Sequence, residues 1–70
     1  MDDLQPYQRR VVAEADALCD RVMLLEVFLG DADRLATLDP ADVALLRTQH
    51  FAMSTYLSVL RMRIARWMPT

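Results

Sequence analysis

Asp39-Pro40-Ala41-Asp42 decides the fold. Asp39 offers a side-chain oxygen to the free backbone N–H groups of a helix start. Pro40 carries the fixed torsion angle that suits a first helical position, and Asp42 adds negative charge where the helix dipole favours it. A helix therefore begins at about residue 40. Downstream, Leu46, His50, Met53, Leu57, Leu60, Ile64 and Trp67 recur at alternating spacings of four and three, which places them on one helical face as far as a stop before Pro69. Upstream, Val11, Ala15, Leu18, Val22, Leu25 and Leu29 repeat the same rhythm between Pro6, a good first helical residue, and Gly30, a natural stop.

Two apolar stripes on either side of one helix start predict an all-α protein. The expected architecture is a helical hairpin within a single domain, residues 1–70: helix one over about 6–29, a connector over 30–39 with room for one short helical turn, and helix two over about 40–67. Leu45, Gln49, Ala52, Tyr56, Val59 and Arg63 form a second, mostly apolar stripe beside the first, so the buried face of helix two is expected to be wide. A two-helix hairpin covers only one side of each helix. The remaining apolar surface predicts a homo-oligomer.

Composition narrows the class. At 54% apolar and 26% charged residues, the chain is too hydrophobic for a disordered segment. Its one cysteine, Cys19, excludes an internal disulfide and a thiolate metal site and fits a reducing compartment. The acidic start (Asp2, Asp3) shows no secretory signal, and the apolar run from Val22 to Gly30 is too short to span a bilayer and is broken by Glu26. A soluble protein of a reducing cytosol is expected. Residues 1–42 carry all ten acids; residues 43–70 carry none, but hold Arg47, Arg61, Arg63 and Arg66. All eight basic residues are Arg, the side chain better shaped for bidentate phosphate or carboxylate contacts.

Tyr7, Arg9 and Arg10 crowd a first helical turn, where backbone N–H groups already favour anions. Arg21 stands 14 residues after Tyr7, about 21 Å along the axis and within roughly 40° of the same face. No small ligand reaches both in one protomer. If two copies of helix one cross antiparallel around residue 14, Tyr7 of each protomer falls beside Arg21 of the other, with Arg10 and Glu14 near the crossing. A two-fold ligand with two phosphates matches that arrangement. The plain alternative is a packing tyrosine and a solvated arginine.

On helix two, Gln49, Met53 and Tyr56 share a side, with Arg63 two turns beyond Tyr56. The amide and hydroxyl groups there need partners from protein or ligand. His50 lies on the apolar seam and reads as a hydrogen-bonded core residue, not a metal ligand. The basic end around Arg61, Arg63, Arg66 and Trp67 allows a membrane-surface reading as well as simple complementation of the helix dipole. Duplex nucleic acid is not an expected partner of a net negative chain. No phosphate loop, nucleophile–base pair or metal cluster is visible, so no enzyme, no metal and no cofactor are expected. Small all-helical chorismate mutases also bury Arg between long helices, but their site depends on a Lys and this chain has none.

Pro6-Tyr7-Gln8-x-Arg10-Val11-x-x-Glu14, with Leu18, Arg21, Leu25 and Phe28 after it, resembles the first half of the small anti-CBASS sponge proteins of phages. So does Leu38-Asp39 followed by Leu45-Leu46-x-x-Gln49-x-x-x-Met53-x-x-Tyr56-x-x-x-Leu60-x-x-Arg63-Ile64. The resemblance implies a compact helical protomer in a hexamer built from antiparallel dimers. It implies binding of cyclic dinucleotides at protomer pairs and of cyclic trinucleotides in separate pockets, without cleavage, so that CBASS effectors are not activated. Carried over, Tyr7 would stack on or hydrogen-bond the dinucleotide with Arg10 nearby, and Arg21 would contact phosphate where Lys is common in the family. Gln49, Met53, Tyr56 and Arg63 are the matching candidates for the trinucleotide. The alternative is a ligand-free helical oligomerisation or adaptor module of a phage.

Overall fold

The computed structural model describes residues 3–68, so Asp2 and the expected stop at Pro69 lie outside the described residues. Helix α1 spans Pro6–Leu29, a single-turn helix α2 spans Ala32–Leu35, and α3 spans Pro40–Trp67. No strand occurs among the described residues. The long helices α1 and α3 pack against each other as a hairpin, extended to 48 Å along its longest axis.

Each helix end has a local cause. Pro6 opens α1, and the Gln5 backbone N–H donates to the Gln8 side-chain oxygen at 2.8 Å, satisfying a donor that the helix itself leaves free. Gly30 ends α1 by donating to the Glu26 and Val27 carbonyls at 3.0 and 3.2 Å. Its φ is −84°, so the chain leaves the helix through a right-handed turn and the left-handed option of glycine is unused. Asp31 caps α2 by accepting from the Arg34 N–H at 3.2 Å. Asp39 caps α3 by accepting from the Ala41 N–H at 2.8 Å, with Pro40 first in the helix and Asp42 in its first turn.

The core is a single seam. Val11, Ala15, Leu18 and Val22 from α1 meet Leu57 and Leu60 from α3, and Leu60 is fully buried. Cys19, Met53, Ile64 and Trp67 pack around this nucleus. The two stripes read from spacing are thus the surfaces that meet. No polar or charged side chain is fully buried among the described residues. Along α3, Thr48, Thr55 and Ser58 turn their hydroxyls back onto carbonyls four residues earlier, which satisfies these polar groups without a partner helix.

The wide buried face expected of α3 is not formed within one chain. Leu45 remains 67% exposed, and Gln49, Ala52, Tyr56, Val59 and Arg63 are exposed too. The reason is geometric: one opposing helix covers a narrow arc, and the second stripe lies outside it. On α1, Met23, Leu24 and Val27 are likewise exposed.

Because Leu60 is enclosed on all sides, Leu60→Ala leaves a cavity in the core formed by the described residues. We expect a loss of about 2–5 kcal/mol, read as a lower urea midpoint by far-ultraviolet circular dichroism at fixed protein concentration. A midpoint within error of the wild type would mean that the seam does not govern stability.

Candidate functional site

Antiparallel packing brings the first turn of α1 to the last turn of α3. Tyr7 and Trp67 meet edge to face, their ring centroids 5.7 Å apart and their planes at 80°. This is a preferred aromatic geometry because the positive edge of one ring points at the negative face of the other. The Arg63 guanidinium lies 5.9 Å from the Trp67 ring centroid, a cation–π contact one turn earlier on the same helix. Two turns further along α1, Glu14 accepts a hydrogen bond from the Tyr56 hydroxyl of α3.

These contacts make one strip across both helices: Tyr7, Trp67, Arg63, Tyr56 and Glu14. Both tyrosines keep much of their surface, Tyr7 at 49% exposed and Tyr56 at 44%. The strip therefore offers two accessible aromatic rings, a guanidinium held by one face, and a carboxylate. Tyr56 is held above the usual tyrosine pKa. Its hydrogen bond to Glu14 is the largest cause, followed by partial desolvation and the carboxylate charge, with the Arg63 charge acting in the opposite direction.

The other candidates are spread along the hairpin. Arg10 and Arg21 are exposed on α1 and hold no hydrogen bond or ion pair with the described residues. Gln49 is exposed, and its amide donates to the Met53 sulfur at 3.6 Å, a contact between neighbours one turn apart on α3. His50, partly buried on the seam, places Nε2 3.0 Å from Glu26 Oε1 of α1. The carboxylate beside His50 comes from the other helix, so spacing along α3 could not reveal it. Among the described residues, no group of three His, Cys, Asp or Glu side chains converges on a point that could hold a metal. Arg61 Nη2 donates to the Cys19 sulfur at 3.3 Å.

The structure thus joins Tyr7 to Arg63 through Trp67, two residues that the sequence assigned to different pockets. From the sequence, Trp67 is the last residue of the apolar stripe and part of the basic end of helix two, but not a site residue. Its spacing of four from Arg63 was the available signal for the cation–π pair. No spacing within either helix could place it against Tyr7.

The hairpin exposes aromatic rings and guanidinium groups, the kinds of side chain that stack on bases and pair with phosphates, and no helix among its described residues is long and apolar enough to cross a membrane. The chain belongs to the Sequestin family, whose model matches residues 5–66. Sequestins are the phage anti-CBASS cyclic-nucleotide sponges, a family of binding proteins and not of enzymes. No curated protein and no solved structure matched the chain.

The hydrogen bond from Tyr56 gives a pH prediction with a definite sign. Glu14 favours the neutral phenol, so the cross-helix link is present below pH 10 and is lost as pH rises through the raised value. In a Tyr7→Phe background, where Tyr56 is the sole tyrosine, its phenolate absorbance should appear above the pH of a free tyrosine. Glu14→Gln should move the midpoint down. An unshifted midpoint before that substitution would show that the Glu14 contact is not formed in solution.

Proposed function

We propose that this chain binds cyclic dinucleotide and cyclic trinucleotide messengers and sequesters them uncleaved in the host cell cytoplasm, so that CBASS effectors are not activated. Family membership across residues 5–66 supports the anti-CBASS sponge role in general. The observation that carries the finer reading is the state of Tyr7 and Arg21. Tyr7 stays 49% exposed in the first turn of α1, and Arg21 stands on the same helix with its guanidinium unengaged by the described residues.

In this reading two protomers pair antiparallel through α1. Tyr7 of one and Arg21 of the other form each half of a dinucleotide site, Tyr7 supplying a stacking surface and Arg21 a bidentate phosphate contact. Arg10, one turn after the opening of α1, adds positive charge. Gln49, Met53, Tyr56 and Arg63 form the trinucleotide surface: an amide and a phenol for base edges, a thioether for packing, and a guanidinium for phosphate. A homohexamer built from three such dimers would cover the apolar surface that Met23, Leu24, Val27 and Leu45 leave open in one chain. Sequestration then works by mass action, because protein in excess of messenger holds its free concentration below the effector threshold.

Calorimetric titration with a cyclic dinucleotide and a cyclic trinucleotide tests this directly. Both should bind at micromolar protein or below, raise the melting temperature, and be recovered intact after denaturation. Tyr7→Ala and Arg21→Ala should each abolish dinucleotide binding while leaving assembly mass and trinucleotide binding unchanged. Assembly with no thermal stabilisation by either ligand would instead identify a ligand-free adaptor, and recovery of linear products would identify an enzyme.

A further inference from the structure

We infer that Trp67 is a positioning residue shared by both proposed recognition surfaces, holding the Tyr7 ring for one and the Arg63 guanidinium for the other. The inference rests on the proposed cyclic-nucleotide binding and assigns a residue that neither surface includes. Trp67 is partly buried against the core and sits at the last turn of α3, so its own ring is fixed by the seam. The side chains it touches are not fixed that way. Tyr7 and Arg63 are both exposed, and each would otherwise rotate freely in water.

The geometry of the two contacts leaves both partners usable. Trp67 meets Tyr7 edge to face at 5.7 Å and 80°, so Tyr7 is steadied while it stays 49% exposed, enough to accept a stacked base. Arg63 lies over the Trp67 ring at 5.9 Å. A guanidinium resting on an aromatic face keeps its planar N–H edge free, and that edge is what forms paired hydrogen bonds to phosphate. In each case Trp67 restricts rotamers before ligand arrives, and affinity rises because less entropy is lost on binding. The chemistry served is common to both ligands: an aromatic surface for a nucleobase and a guanidinium for a phosphodiester.

Because Trp67 is the sole tryptophan, its emission reports on the contacts it makes. The probes are cyclic di-adenosine monophosphate and cyclic tri-adenosine monophosphate, titrated separately into the full chain. Wild-type Trp67 fluorescence should change on saturation with each. Trp67→Ala should weaken calorimetric binding of both probes about tenfold, as loss of an aromatic pair and a cation–π contact predicts. Helical circular dichroism and assembly mass should be retained, and Trp67→Phe should recover most of the loss.

A Trp67→Ala protein that binds both probes like the wild type would overturn the inference, as would weakening confined to one probe or a Phe variant no better than Ala. If Trp67→Ala fails to fold, the wild-type emission decides: binding of both probes with no spectral change overturns the shared role. A wild type that binds neither probe overturns the sponge reading itself, and the positioning role with it.

Discussion

The single seam between α1 and α3 is the constraint on which the rest of the hairpin depends. Six residues fill its centre, with Leu60 fully enclosed, and the two long helices are aligned along it. Three cross-helix contacts show the alignment it imposes: Tyr7 with Trp67, Glu14 with Tyr56, and Glu26 with His50. Positions ascend along α1 as they descend along α3, so every polar or aromatic pairing at the edge of the seam follows from the packing of Leu57 and Leu60 against Leu18 and its neighbours. A slip of one helical turn, about 5.4 Å, would keep an apolar seam and lose all three pairs.

The same seam explains what one chain leaves unfinished. Small domains bury a modest share of their surface, and here the opposing helix shields only one arc of α3. The second stripe of α3 and the outer apolar residues of α1 stay in solvent. Charge follows the helices as well. Every acidic residue lies within residues 1–42, while the remainder carries only Arg and one His as basic groups. Glu14 and Glu26 therefore reach from α1 to Tyr56 and His50 on α3, and polarity between the helices supports the register that the core selects.

The hairpin was legible in the sequence because each of its causes is local or periodic. Asp39, Pro40 and Asp42 act within one turn, and the stripes through Leu18 and Leu57 repeat every three or four residues. The pairings were not legible, because they depend on axial alignment between helices, which neither stripe encodes. Glu26 could not be matched to His50, nor Trp67 to Tyr7, until the register was known. The second stripe of α3 stays exposed in one chain for a related reason. Apolar spacing marks a surface suited to burial, but it does not say whether the covering partner belongs to the same chain. Glu14 was placed near a crossing of two α1 helices, whereas within one chain it accepts from Tyr56.

That contact bears on how a ligand could reach this end of the hairpin. Phosphate carries negative charge, and Glu14 opposes it on the very strip where Arg63 attracts it. With Glu14 hydrogen-bonded to Tyr56, its carboxylate is directed at the phenol, and the Arg63 side of the strip, backed by Trp67, is the more favourable approach for an anion. Tyr7 flanks the same indole from the other helix. Aromatic surface and positive charge thus converge on Trp67, and acidic charge is held at the opposite end of the strip. An anionic ligand with stacked bases would meet the two features it needs at the open end of the hairpin, where the first turn of α1 and the last turn of α3 are set side by side by the packing of the seam.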